Sequence, residues 1–159
     1  MDVALAKSKG KQGELKFKEW LEKQNIPYMY FDQKIGTYSR EFLNKLKRPD
    51  FMLLIPNFGF ILVDVKCHKI YQNNDMSKYI TLGEKEVDEY IELHKEFGVP
   101  IWFAVSNEKG NFESWYWISA NEIGNDEMDT NKNYFKIKTG KFRKIHWDEG
   151  LGKLFENKK

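Results

Sequence analysis

A chain of 159 residues, 41% hydrophobic and 31% charged, has the make-up of one globular unit, long enough to bury a core without disulfides or a structural metal. Its 26 lysines and arginines against 24 acids leave a formal charge of +2, too near balance to announce a polyanionic partner by itself. No run approaches the roughly 20 apolar residues of a membrane-spanning helix, the lysine-rich start carries no apolar signal-type segment, and one cysteine, Cys67, allows no internal disulfide, so the expectation is a cytoplasmic protein with no membrane partner.

Over residues 10–24, Phe17, Trp20 and Leu21 fall on one side at helical spacing until Asn25-Ile26-Pro27 stops the run, which predicts a first helix. Gly13 lies in its buried arc and Glu14 at the edge, so an acid is aimed at the rim of the core. Residues 28–33 read as a short aromatic strand. Residues 34–48 are polar and basic, with a short helix expected over 40–46, and their length suggests a functional loop.

Two apolar runs, Phe51 to Ile55 and Phe60 to Val63, flank Pro56-Asn57-Phe58-Gly59, whose residues supply turn chemistry, so residues 49–66 predict a β-hairpin. Positions equidistant from the turn centre face each other, which sets Asp50 opposite the neighbourhood of Val65. A shift of one residue leaves Asp50 beside either Asp64 or Lys66. Alternation along the strand puts Asp64 and Lys66 on one face and Val63 and Val65 on the other.

Residues 67–78 read as a polar link. Residues 83–97 carry Val87, Tyr90, Ile91 and His94 at helical spacing with Gly98 as the C-terminal cap, a second helix. Strands are expected over 100–105, 112–118 and 134–138, an acidic loop over 121–129, and a closing helix over 148–155. Trp115 and Trp117 share one face and are expected in the core. The order predicts a mixed sheet with helices on it, as one domain, 1–159, with a core of about 10–118 and an extension of about 119–159.

Two aspartates a few ångströms apart repel, and keeping both ionised away from water requires a cation. Lys66 offsets one charge, and a divalent ion offsets both. All-oxygen ligands suit Mg²⁺ or Mn²⁺, which take one or two carboxylates and a substrate phosphate. That combination activates water for attack on a phosphodiester, with Lys66 either orienting or deprotonating the water, or staying charged to hold the transition-state oxygens. Cys67 and His68, adjacent on a strand and facing opposite ways, make a poor chelate.

Pro49-Asp50, thirteen intervening residues, then Asp64-Val65-Lys66 resembles the signature of the PD-(D/E)xK nuclease superfamily, and Glu14 resembles the helix-one acid of its Holliday junction resolvase-like branch. The resemblance implies an α/β fold with a restriction endonuclease-like core, a mixed central sheet flanked by helices in the order αβββαβ plus C-terminal additions. It implies a divalent-metal-dependent deoxyribonuclease using Mg²⁺ or Mn²⁺, with duplex or branched DNA as partner and, as usual in this branch, a homodimer. Carried over by residue, Asp50, Asp64 and the Val65 carbonyl hold metal, Lys66 serves the nucleophile, and Glu14 binds a second metal or orients a metal water. Glu86 falls where family members often have Gln, which gives it a supporting place beside the site. Lys11, Lys16, Lys47 and Arg48 are expected to grip the DNA backbone. The alternative is an inactive protein of the same fold that binds DNA or a partner.

Overall fold

The computed structural model describes residues 3–31, 38–41, 47–129 and 131–156. The first helix, α1 (Val3–Lys23), begins well before Gly10. Ala4, Leu5, Ala6 and Lys7 are strong helix formers, and their propensity carries the helix into a stretch that has no apolar period of its own. Phe17, Trp20 and Leu21 are fully buried on its inner face. Asn25 adopts a left-handed turn, φ 54°, and leads into β1 (Tyr28–Tyr30). The expected loop over 34–48 and its short helix lie largely outside the described residues.

The expected hairpin is present as β2 (Phe51–Ile55) and β3 (Gly59–Cys67). Its turn is one residue tighter than the apolar runs suggest, because Asn57 takes the left-handed conformation, φ 62°, and Gly59, φ 121°, already pairs with Ile55. The register therefore runs Phe51 with Val63 about a centre at Asn57, and continued unbroken it would set Asp50 opposite Asp64. At the open end the Asp50 N–H also donates to the Val63 carbonyl at 3.0 Å. Asp50 and Phe51 thus both face Val63, the two-against-one arrangement of a β-bulge, which re-aims a side chain.

The supposed link over 67–78 holds β4 (Tyr71–Gln72), and a strand not foreseen, β5 (Lys78–Gly83), precedes α2 (Glu84–Phe97). Gly98, φ 68°, closes α2 by donating its N–H to the His94 carbonyl at 2.7 Å. The expected strands follow as β6 (Ile101–Ser106) and β7 (Ser114–Ser119). The acidic loop holds 3-10 turns and β8 (Met128–Asp129), and β9 (Tyr134–Lys138) follows. β10 (Arg143–His146) was not foreseen, and the closing helix is a single 3-10 segment, Leu151–Phe155. Gly150 and Gly152 flank its start and weaken a longer helix there.

Six strands form the main sheet in the order β1-β2-β3-β6-β7-β10, and four form a smaller one, β4-β5-β9-β8. All main-sheet neighbours are antiparallel except β3 and β6, which are parallel, so the chain between them crosses over through β4, β5 and α2. α1 covers one face of the main sheet, where Phe17 packs on Phe51, Trp115 and Trp117. On the other face Val87, Tyr90 and Leu93 of α2 meet Phe103, Val105 and the inner side of the small sheet. The result is a mixed central sheet flanked by helices. No helix among the described residues is long and apolar enough to cross a membrane.

Candidate active site

β3 outruns its partner. Pairing with β2 ends at Val63, so Asp64, Val65 and Lys66 continue with only β6 beside them. The bulged Asp50 fills the gap: its Oδ2 accepts the Val65 N–H at 2.8 Å, a bond that β2 backbone no longer supplies. In an extended strand the N–H and C=O of one residue point the same way, so the Val65 carbonyl also faces the side occupied by Asp50.

Asp64 projects from the opposite face toward α2 and is only 3% exposed. A carboxylate so deeply buried needs partners, and it has them. Tyr90 donates its hydroxyl to Asp64 Oδ2 at 2.5 Å, and Lys66 Nζ lies 3.1 Å from Oδ1. Glu86, in the first turn of α2, is ion-paired with both Lys66 and Lys47. Lys47 Nζ is also 3.9 Å from Asp64 Oδ2 and 5.8 Å from the centre of the Tyr90 ring.

Burial, then the charge of Asp64, pushes the Asp50 carboxyl up to about 8, against the pull of the Val65 N–H. Burial and the neighbouring Lys66 lower Lys47, and burial together with Asp64 raises Tyr90 well above the usual phenol range. The His68 imidazole is lowered chiefly by burial, while its Nδ1 sits 2.9 Å from the Thr81 carbonyl. Burial and the neighbouring Asp64 thus disfavour the ionised form of Asp50 even with Lys66 at hand. A hard divalent cation bound through oxygen fits this donor set of two carboxylates and a carbonyl.

These groups line a cleft of about 770 Å³, with Glu14, Lys47 and Arg48 on its walls beside Asp50, Asp64 and Lys66. Glu14 Oε2 accepts the Tyr30 hydroxyl at 2.8 Å, and its charge reaches Asp50, contributing to that group's rise. It stands apart from the aspartates, for among the described residues no three His, Cys, Asp or Glu side chains converge on one point. α1 approaches the end of β3 so closely that a Cβ on Gly13 would lie 3.1 Å from Cys67 Cβ, which is how an acid on a helix reaches a strand-end site. Of the four expected backbone-gripping residues, Lys47 and Arg48 line the cleft. Lys11 is exposed elsewhere, and Lys16 pairs with Glu19 at 3.0 Å beside a separate hollow of about 450 Å³.

Tyr90, which the sequence pattern marks only as one of four residues on a helical face, joins the cluster through Asp64. A signal was present: a buried tyrosine hydroxyl needs a partner, and Tyr90 follows Glu86 by one helical turn on the face turned toward Asp64. Lys47 was expected at a phosphate and is instead drawn into the charge cluster through Glu86.

Neither a family model nor a curated protein matches the chain. Among solved structures, Archaeoglobus fulgidus Hjc, a Holliday junction resolvase from an archaeal hyperthermophile, aligns with a TM-score of 0.56 at 15% identity, over 86% of this chain and 95% of that one. The chain has the restriction endonuclease-like fold. The residues that resemble the PD-(D/E)xK signature therefore stand on a restriction endonuclease-like frame. D212, a nuclease from a fusselovirus, also aligns, with a TM-score of 0.46 and 14% identity over 88% of this chain and 80% of that one.

Proposed function

We propose that this chain is a divalent-metal-dependent deoxyribonuclease that hydrolyses DNA phosphodiester bonds, with branched DNA as its preferred substrate. The observation that carries the reading is Asp50: a half-buried carboxyl set beside the fully buried Asp64 in a cleft that Lys47, Arg48 and Lys66 also line, where burial and the charge of Asp64 push it up to about 8. Such a pair is costly to a structure that only has to fold, and it is what a metal site looks like before its cation arrives. The resolvase fold adds weight, and Hjc's own substrate suggests the junction as the first DNA to try. The reading takes residues 1–159 as one domain and a homodimer as its working form.

In this reading Asp50, Asp64 and the Val65 carbonyl would hold Mg²⁺ or Mn²⁺, and Glu14, set apart on the cleft wall, would hold a second ion or orient a water of the first. The cation, when bound, polarises the phosphodiester and offsets the charge that develops as water attacks in line. The chain's own groups set the geometry. The Val65 N–H fixes one oxygen of Asp50, and Tyr90 fixes one of Asp64. Lys66, braced between Asp64 and Glu86, aims its ammonium into the cleft, where it donates to the attacking water or to a phosphate oxygen. Glu86 balances Lys66 and Lys47, so the site keeps two cations close without mutual repulsion dominating. Lys66→Ala is expected to lower Mg²⁺-dependent cleavage of a labelled junction by roughly 10²–10⁴-fold. Cleavage at the wild-type rate would overturn the assignment.

A further inference from the structure

In the small sheet β4, β5 and β9 lie side by side, and their pairing sets a row across it: Tyr71 opposite Tyr79, and Tyr79 opposite Lys138. The alternate positions, such as Ile80 and Ile137, are buried against α2 and β6, so strand alternation turns this row to the outer face. There the Tyr71 and Tyr79 rings stack, with centroids 5.3 Å apart and planes at 16°. Lys69 Nζ is 5.1 Å from the Tyr71 ring centre, and Lys136 Nζ is 4.1 Å from that of Tyr79. Among the described residues neither lysine is ion-paired with a carboxylate, though Lys136 also donates to Asn73 Oδ1 at 3.0 Å. Tyr71 remains 38% exposed. The face runs into the cleft, since Lys69 and Tyr71 line that as well.

A stacked pair of rings offers π-faces, and ammonium groups without carboxylates offer charge to phosphates. A ligand that uses both is a nucleic acid strand with unpaired bases. A duplex keeps its bases stacked on one another and would use the lysines alone. We propose that the outer face of the small sheet is a platform for single-stranded DNA leading out of the cleft, with an unpaired base on Tyr71 and the backbone drawn to Lys69 and Lys136. Lys69, on a flexible stem, moves from the ring to a phosphate as the base takes its place. This inference rests on the nuclease reading for the choice of DNA and narrows its substrate class: of branched DNAs, those with an unpaired segment beside the scissile phosphate, such as a flap, ahead of a fully paired four-way junction.

The test is fluorescence anisotropy in EDTA, so that nothing is cut, with one labelled sequence offered as single-stranded DNA, duplex DNA and single-stranded RNA. Tyr71→Ala is expected to weaken single-strand binding roughly tenfold, Tyr71→Phe to restore it, and duplex binding to change less than about twofold. Lys136→Gln should reduce the slope of log Kd against log salt by about 0.7 on the single strand. Unchanged single-strand affinity in Tyr71→Ala, an equal loss on duplex, tighter binding of the RNA, or an unchanged slope in Lys136→Gln overturns the proposal. A protein that binds single strands through Tyr71 yet cuts nothing keeps this inference and loses the nuclease reading. Normal cleavage together with full single-strand binding by Tyr71→Ala does the reverse.

Discussion

At Asp50 the chemistry proposed for the site and the stability of the fold pull against each other. Its carboxyl moves from 3.8 to about 8 on folding without metal, so the folded chain holds a proton that the unfolded chain releases. The metal-free fold therefore loses stability as pH rises from about 4 to about 8 and changes little beyond. Asp50→Asn keeps an oxygen for the Val65 N–H but has no charge to bury. Melts in EDTA should show the variant above wild type at pH 8, by about 2–4 °C for each kcal/mol relieved, with the gap closing near pH 4; a variant that melts lower at pH 8 contradicts this account. Saturating Mg²⁺ should raise the wild type and leave the variant where it was, because only a binding-competent fold gains by mass action. Tyr90 belongs to the same scale. Removing its hydroxyl in Tyr90→Phe leaves Asp64 Oδ2 short of a buried donor, a loss of roughly 1.5–3 kcal/mol for a bond to a charged group. Weaker Mn²⁺ binding by calorimetry with an unchanged fold is the expected signature, and wild-type affinity would remove Tyr90 from the site. The aspartates and Lys66 were legible in the sequence because their spacing is short and their charges interrupt apolar runs. Tyr90 was not, because a tyrosine on an apolar helical face looks like packing until the strand beneath it is known.

Among the elements, the hairpin shows what apolar patterning can and cannot specify. The runs on either side of Pro56 were enough to predict two paired strands and to bring Asp50 to the end of β3. They could not fix the register, since Asn57 and Gly59 can both adopt left-handed backbone and the two choices differ by one residue. The structure uses both, Asn57 within the turn and Gly59 as the first paired residue, and Asp50, bulged back onto Val63, reaches Val65 through its side chain. Gly59→Ala would put a Cβ on a backbone at φ 121° and is expected to cost about 1–3 kcal/mol. A thermal melt checks this, and a melting temperature equal to wild type would mean that the turn re-forms in another register. β5 and β10 escaped the sequence reading for a different reason. Each is half polar, with tyrosine, threonine, lysine or histidine at alternate places, and pairs with a strand distant in sequence, β9 for β5 and β7 for β10, while the one near partner of β5, β4, is only Tyr71–Gln72. Their apolar positions become evident only once α2 and the main sheet supply the other half of the core.

Across the whole molecule, two cores share the central sheet, and the site lies where their boundary reaches the surface. α1 brings Glu14 from one face, α2 brings Glu86 and Tyr90 from the other, and β3 carries Asp64 and Lys66 between them. No single element holds the site, which is why the fold class could be read from element order while the full set of supporting side chains could not. The small sheet adds a cationic, aromatic face beside the cleft, and this arrangement suits a substrate that leaves one strand unpaired near the point of attack. The most direct measurement is cleavage of a labelled set containing linear duplex, single strand, flap and four-way junction by wild type and Asp64→Asn, each in Mg²⁺ and in EDTA. Cutting by the wild type in Mg²⁺ alone, strongest on a branched substrate and lost in Asp64→Asn, is the expected result. Cutting that survives the substitution, or no cutting of any substrate by a folded wild type, would contradict it.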